Sequence, residues 1–310
     1  MEKNMTKSLS QELAYSKLEN RKNIKHQIAN AVSNMSVNQN TLLEIEKESI
    51  ITGLFTIYTN LDSANFELAK NFIKMINELN YYPIQSYPIM LEKALNNFFS
   101  NPKIKSKLKT SKKLIILPGG YTDEDVKSFH LVSYMFKSNL FNYILQQNNY
   151  SDLSVTIVPN LVHIKDKLSY NYAKDACFLL VDDYSATGES MVDAINKWTE
   201  EIPKCLETDI DIHLNILSLV IEDVAYNKLS KSHNVFFYKK SDETRLSRFN
   251  YFNQSTTTNK YRINSMNIMM RTSNNTYGLI SDMPPFQRYM RKRNKLEKEQ
   301  QKWNEKWKNY

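Results

Sequence analysis

The stretch CFLLVDDYSATGESM (residues 177–191) joins an apolar run to two acids and a Thr-Gly pair. Its first five residues are apolar, and Asp182 and Asp183 follow them directly. A short continuous apolar run predicts a buried strand. Thr-Gly at residues 187–188 stands just before the amphipathic pattern MVDAINKW, which predicts a helix. The stretch therefore predicts a strand, a short polar loop and a helix, in that order.

Other short apolar runs extend this pattern to a sheet. They are LIILP (114–118), VTIVP (155–159), IDIHLNILSLVI (210–221) and VFFY (235–238). Helical patterns alternate with them, for example FHLVSYMF at 129–136. Alternating strands and helices favour parallel pairing, and near-continuous apolar strands are typical of a sheet covered on both faces. We therefore expect an α/β domain with a mostly parallel sheet of about five strands and flanking helices.

The two ends of the chain have different patterns. Residues 1–110 are largely polar, with apolar residues at helical spacing, and this pattern predicts a mostly helical region. Residues 284–310 carry nine Lys and Arg against three Glu, with an aromatic stripe at helical spacing. This pattern predicts a basic amphipathic helix. We expect three parts: the helical region 1–110, an α/β domain at 111–283 and the helix 284–310.

Composition excludes several classes of protein. The net charge is +8, but residues 284–310 contribute +6 of it, so the charge does not favour a nucleic-acid surface over the whole chain. The two cysteines, Cys177 and Cys205, are too few for a disulfide framework or a metal cluster. No apolar run approaches the length of a membrane span, and the start of the chain has no secretory signal pattern. We expect a cytoplasmic protein that does not enter a membrane.

The two aspartates lie where open parallel sheets bind ligands, at the carboxyl end of a strand. Neighbouring carboxylates suit a ribose diol or a nearby metal; the alternative is a solvated turn acid and a helix cap. The start of the following helix supplies hydrogen-bond donors instead of acceptors, because its free N–H groups favour phosphate. The residues at this start are Ala186, Thr187, Gly188, Glu189 and Ser190. A diol site and a phosphate site one loop apart predict a ribose 5-phosphate ligand.

VDDYSATGES (181–190) resembles the phosphoribosyl-pyrophosphate loop of the type I phosphoribosyltransferases. In that family an apolar strand is followed by two acids, three variable residues and Thr-Gly-x-Thr/Ser. The matching positions here are Asp182, Asp183, Thr187, Gly188 and Ser190. The resemblance covers roughly residues 110–240 and implies a phosphoribosyltransferase-like fold. It also implies transfer of a ribosyl group from phosphoribosyl pyrophosphate to an acceptor, with Mg²⁺ bound through the substrate's oxygens.

The resemblance also assigns roles to residues. Asp182 and Asp183 would hold the ribose hydroxyls as catalytic residues, and residues 186–190 would hold the 5-phosphate. The pyrophosphate loop would follow the first core strand, at Pro118, Gly119, Gly120 and Tyr121. Three acids at 123–125 would repel pyrophosphate there, and Lys127 would offset part of that repulsion.

A mobile loop that covers the reacting centre would correspond to HIKDKLSYNYAKD (163–175). It contains His163, Lys165 and Lys167, any of which could steady departing pyrophosphate, and we take Lys165 as the catalytic candidate. The alternative is an ordinary solvated loop.

A second stretch, MRTSNNTYG (270–278), resembles one in phosphoribosyltransferase-like proteins of bacterial conflict and antiphage systems, retrons among them. Asn274 and Asn275 suit either hydrogen bonding to a base edge or a tight turn. This resemblance implies a nucleotide or nucleic-acid acceptor. It also implies a toxic effector of an antiphage defence system that is held in a larger complex.

Three interpretations of the basic tail are open. Its aromatic stripe could pack on its own domain or on a second copy. It could instead bind RNA or an acidic protein, with residues 291–293 on phosphates and Trp303 or Trp307 stacked on bases. A membrane-surface helix is less favoured, because polar residues at 293 and 300 interrupt the apolar face.

The function therefore has two leading hypotheses. The first is an enzyme of the phosphoribosyltransferase type. The second is a non-catalytic protein that senses a ribose-phosphate or nucleotide, or a scaffold that binds nucleic acid or a protein partner.

Overall fold

The computed structural model describes residues 19–33, 36–37, 44–64, 72–76, 80–120 and 128–241, and the short strands at 262–263, 267–269 and 280–281. The chain divides into two compact units. One consists of residues 82–244, and the other combines residues 1–81 with residues 245–310.

The elements are numbered in chain order. The helices are α1 (19–33), α2 (Glu44–Ala64), α3 (72–76), α4 (Tyr87–Ser100), α5 (Pro102–Ser111), α6 (Ser128–Met135), α7 (Asn139–Gln147), α8 (Ile164–Lys167), α9 (Tyr170–Ala173), α10 (Glu189–Leu206) and α11 (Asp223–Leu229). The strands are β1 (Ser36–Val37), β2 (Asn80–Tyr82), β3 (Lys113–Pro118), β4 (Ser154–Ile157), β5 (Cys177–Ser185), β6 (Leu214–Glu222), β7 (Val235–Ser241), β8 (Arg262–Ile263), β9 (Asn267–Met269) and β10 (Ile280–Ser281). Among the described residues, no helix is both long enough and apolar enough to cross a membrane.

The unit of residues 82–244 is built on a five-stranded sheet in the order β4-β3-β5-β6-β7. Every neighbouring pair in this sheet is parallel. The chain leaves β3 for β4 on one side and then returns to β5 on the other. This reversal creates a crevice outside the carboxyl ends of β3 and β5, where open α/β sheets bind ligands. The predicted α/β fold with a parallel sheet of about five strands is confirmed.

Strand β5 is longer than its apolar run predicted, because it continues through both aspartates to Ser185. The extension is held by β6, since Asp182 pairs with Ser218 and Tyr184 with Val220 in the parallel ladder. Successive side chains of a strand point to opposite faces of the sheet. The two adjacent aspartates therefore lie on different faces rather than side by side.

Helices cover both faces of the sheet. On one face the apolar stripe of α10, with Met191, Ile195 and Trp198, is buried with Leu180 and Ile216. These helix residues recur at the spacing of one face of an amphipathic helix, which explains the burial. The indole N–H of Trp198 donates a hydrogen bond to the Pro118 carbonyl at 3.1 Å, so α10 is tied to the end of β3.

The opposite face of the sheet is covered by α4, which packs against β6 and β7, and by α6, which packs against β3 and β5. Both α4 and α5 precede residue 111 but belong to the same unit as the sheet. The division of the chain at residues 110 and 283 stays a prediction.

In the other unit, β2 lies between β1 and β9 in a small sheet, and β8 pairs with β10 in antiparallel fashion. Helices α1, α2 and α3 bury Ile28, Leu54 and Phe72 respectively. The helix predicted for residues 284–310 lies outside the described residues.

The two cysteines should differ sharply in reactivity. Burial at the start of β5 raises the pKa of Cys177 to about 12, although the charge of Lys107 acts in the opposite direction. Cys205 is partly exposed. Because the thiolate is the reactive form, we expect iodoacetamide at pH 8 to label the native protein at Cys205 alone, and the urea-unfolded protein at both cysteines. Peptide mass spectrometry would measure this, and fast native labelling of Cys177 would contradict its burial.

Candidate active site

The crevice brings the end of β3 directly against β5. The amide of Gly119 donates a hydrogen bond of 2.7 Å to the carbonyl of Val181. A Cβ atom added to Gly119 would lie 3.0 Å from the Cβ of Asp182 and 3.1 Å from that carbonyl oxygen. Such contacts are tighter than ordinary van der Waals contact, so a glycine is needed for this approach. The structure thus places the predicted pyrophosphate loop beside the first of the two aspartates.

The next glycine closes the same turn against a helix. A Cβ atom on Gly120 would lie 2.3 Å from the ring of Phe129, which α6 holds in a buried position. Both glycines therefore permit close packing at the end of β3. Tyr121 and Lys127, also predicted for this loop, lie outside the described residues.

The two aspartates have different surroundings. Asp183 is fully buried, and its Oδ2 accepts a hydrogen bond of 3.0 Å from the hydroxyl of Tyr87 on α4. Asp182 is only partly buried, and its Oδ1 accepts a 2.9 Å hydrogen bond from the backbone N–H of Asp183. A carboxylate inside a protein is costly unless hydrogen bonds compensate for its lost hydration. Asp182 is therefore the member of the pair that a ligand in the crevice could reach.

Residues 186–190, predicted to hold the 5-phosphate and called the phosphate-type loop below, depend on Gly188 for their path. This residue has a φ of +75°, a left-handed conformation that L side chains rarely adopt, and it is the N-cap of α10. A Cβ atom there would also lie 3.3 Å from the Cα of Ala225 on α11. The backbone can therefore turn into α10 while passing close to α11, which is possible for glycine and strained for other residues.

The start of α10 is open to solvent. Thr187, Glu189 and Ser190 are exposed, and Ala186 is partly buried. The Thr187 hydroxyl oxygen accepts a long hydrogen bond, 3.5 Å, from the N–H of Glu189. The first turn of any α-helix has N–H groups without intrahelical partners and a partial positive charge. The geometry of this loop is therefore compatible with an anionic group.

A lysine from the next helix lies at the same place. The Nζ of Lys228 on α11 is 3.8 Å from the Glu189 Oε1. Helix α11 follows β6 just as α10 follows β5, so both helices start at the carboxyl edge of the sheet. Lys228 was not among the site residues predicted from the sequence. Its position after a predicted strand was the available signal.

A second buried carboxylate lies at the end of β6. Glu222 accepts a hydrogen bond of 2.6 Å from the hydroxyl of Tyr184, and Lys240 of β7 forms an ion pair of 2.8 Å with Asp223. Charge-assisted bonds of this kind fix side chains firmly. They link the carboxyl ends of β5, β6 and β7.

Lys165 is not brought to this cluster. Its Nζ is 3.8 Å from the Glu207 Oε1, just beyond the end of α10, in a solvent-exposed pair. Helix α10 has 18 residues and is therefore about 27 Å long, and the phosphate-type loop is at its other end. The segment predicted as a mobile loop contains α8 and α9, and it buries Ile164, Leu168 and Ala173 in the core. Asn274 and Asn275 lie outside the described residues.

The protein family described as PRTase-CE matches residues 58–276. The chain belongs to the PRTase-CE family. This confirms the resemblance to type I phosphoribosyltransferases, and the match extends beyond residues 110–240 at both ends. Among solved structures, the PRTase-CE chain is similar to the purine phosphoribosyltransferase from Pyrococcus horikoshii Ot3. The identity is 14% over 52% of this chain and 86% of that one, with a TM-score of 0.27. No curated protein matches it.

Removal of the Tyr87 hydroxyl should weaken the fold through Asp183. In Tyr87→Phe the buried carboxylate loses a donor at 3.0 Å, so we expect the free energy of unfolding to fall by about 1–3 kcal/mol. Urea denaturation would measure this. The matched control is Tyr143→Phe, because Tyr143 is 52% exposed, and its effect should stay within about 0.5 kcal/mol. Equal stability of the two variants would contradict a structural role for the Tyr87 hydrogen bond.

Proposed function

We propose that this PRTase-CE protein binds phosphoribosyl pyrophosphate in the crevice between β3 and β5 and transfers the ribosyl group to an acceptor. The observation that supports this most is the contact between Gly119 and Asp182, one loop away from the Gly188 turn. A partly exposed carboxylate and an open helix start suit the two ends of a ribose 5-phosphate. The family match makes this ligand class the first to test.

In this proposal the phosphate binds at the start of α10. Backbone N–H groups of residues 188–190 donate to its oxygens, and the partial charge of the helix end favours an anion. The exposed hydroxyls of Thr187 and Ser190 add donors, and Lys228 adds a positive charge nearby. The negative charge of Glu189 opposes phosphate binding. Lys228 partly neutralises it, because its Nζ is 3.8 Å from the Glu189 Oε1.

The aspartates act at the ribose. Asp182 accepts hydrogen bonds from the ribose hydroxyls, and buried Asp183 positions it through its backbone N–H and through its own bond to Tyr87. In the transfer step the bond between the anomeric carbon and the pyrophosphate oxygen breaks, and its electron pair leaves with pyrophosphate. An acceptor nitrogen forms the new bond and then loses its proton to water. The Asp182 carboxylate stabilises the positive charge that develops on the sugar.

Mg²⁺ fits this donor set when it is bound through the substrate. Among the described residues, no three His, Cys, Asp or Glu side chains are placed to hold a metal ion together. Mg²⁺ commonly uses one or two carboxylates together with substrate phosphate oxygens, and Asp182 is the partly exposed carboxylate at the crevice. When bound, the ion would neutralise charge on the pyrophosphate group.

Calorimetric titration of phosphoribosyl pyrophosphate with Mg²⁺ tests the site. We expect Asp182→Asn to weaken binding roughly tenfold or more, because a charged acceptor of the ribose hydroxyls is lost. The control is Asp166→Asn, which makes the same change at an exposed position on α8 and should bind normally. Failure of the native protein to bind, or equal binding by both variants, would contradict the proposed site.

A non-catalytic sensor of the same ligand is the second candidate function. The position of Lys165 favours it, because this predicted pyrophosphate contact lies at the far end of α10. A pyrophosphate-release assay with free bases, nucleotides and single-stranded RNA as acceptors separates the two functions. An enzyme releases pyrophosphate with one of these acceptors and loses that activity in Asp182→Asn. A sensor binds the ligand and releases none.

The wider role rests on segments outside the described residues. The resemblance of residues 270–278 supports a nucleotide or nucleic-acid acceptor and a toxic effector role in cytoplasmic antiphage defence, with Asn274 and Asn275 at the acceptor. The basic residues of 284–310 support an RNA or acidic protein partner within a larger complex. Toxicity on expression that disappears in Asp182→Asn would support the effector role.

A further inference from the structure

A cavity lies at the opposite edge of the sheet from the proposed active site. It has a volume of about 450 Å³ and is bordered by the amino ends of β5, β6 and β7, with Cys177, Asn215 and Asn234 among its lining residues. Its size is within the range of small-molecule sites. The nine residues of β5 separate this edge from the crevice by roughly 26 Å. The cavity is therefore a different site from the one proposed above.

The charge of the lining is mainly positive. Lys103, Lys107 and Lys174 line the cavity, together with a single carboxylate, Asp211. Asn101 caps α5 through hydrogen bonds from the N–H groups of Lys103 and Ile104, and Ile104 and Leu108 anchor the helix in the core. Lys103 and Lys107 are thus fixed one turn apart on one face of α5. Lysines from two separate elements converge here, and this arrangement favours an anionic ligand with more than one charge.

The remaining lining includes two asparagines and two histidines. Asn215 is 4% exposed, donates to the Phe178 carbonyl at 3.0 Å and accepts from the Asn234 side chain at 2.9 Å. The Nδ1 of His233 is 3.0 Å from the Leu214 carbonyl, which can only accept, so this nitrogen carries the proton. The rings of His213 and His233 are stacked with centroids 6.1 Å apart. Aromatic faces and fixed amides are the groups that bind heterocyclic bases.

We propose that this cavity binds a nucleoside diphosphate or triphosphate. Lys103, Lys107 and Lys174 hold the phosphate groups. The two imidazole rings and the side chain of Asn234, which Asn215 positions through its hydrogen bond, hold the base. The lysines on the rim are exposed, whereas Asn215 on the floor is buried, so the charged end of the ligand faces solvent. This site does not depend on the proposed transferase function.

Calorimetric titration of ATP and of GTP into charge-reversed variants tests this site. In Lys103→Glu with Lys107→Glu, attraction to phosphate becomes repulsion, so we expect affinity to fall roughly tenfold or more. The matched control is Lys105→Glu with Lys109→Glu, which makes the same charge change on the same helix at exposed residues that do not line the cavity. Lys174→Glu should also weaken binding, because Lys174 lines the same cavity from the residue after α9 rather than from α5.

A second pair of substitutions tests at which edge of the sheet the nucleotide binds. Thr187→Glu with Ser190→Glu places negative charge at the exposed start of α10 and should leave ATP affinity unchanged while it weakens binding of phosphoribosyl pyrophosphate. Loss of ATP binding in that pair would place the nucleotide at the crevice and overturn the proposal. Equal losses in the two α5 pairs, or no binding of either nucleotide to the native protein, would also overturn it. Pyrophosphate binding as tight as that of ATP would overturn the role of the base.

Discussion

The ladder between β5 and β6 is the constraint on which the candidate active site depends. Strand β6 is nine residues long and pairs with β5 as far as Ser185. Strand β5 therefore continues beyond Val181, the last residue of its apolar run. Asp183 is therefore carried into the interior as a fully buried side chain. A buried carboxylate needs hydrogen-bond donors. Tyr87, the first residue of α4, supplies one, and this contact ties α4 to the strand that ends at the crevice.

The same ladder gives Asp182 and Asp183 different neighbours. Strand geometry turns their side chains to opposite faces, so Asp182 lies beside Gly119 and Asp183 lies beside Tyr87. The backbone N–H of Asp183 is bonded to the Asp182 carboxylate at 2.9 Å. Asp182 is thus placed by Asp183, and it also depends on Gly119 at the end of β3, which leaves room for its side chain. The positions of the two aspartates are therefore set by the pairing of β5 with β6 more than by the loop that follows β5.

The two edges of the parallel sheet have opposite chemical character. At the carboxyl edge, acids end the strands and helices α10 and α11 begin, so carboxylates and helix N-termini lie together. At the amino edge, lysines from α5 and from the residue after α9 surround amides and imidazoles. A parallel sheet makes this possible, because all strands begin at one edge and end at the other. The two proposed sites therefore lie at different edges of the sheet.

Local patterns in the sequence were enough to predict the α/β class, the five core strands and the family, because apolar runs, amphipathic periods and VDDYSATGES are all local. The sequence also placed Gly188 at the start of a helix, where the structure gives it a φ of +75° as the N-cap of α10. The continuation of β5 through the aspartates could not be predicted from local patterns, since it depends on the length of its partner strand. The same holds for Tyr87, which is 96 residues from Asp183, and for the position of Lys165 at the far end of α10. Such contacts follow from how whole elements pack, and no local spacing encodes them.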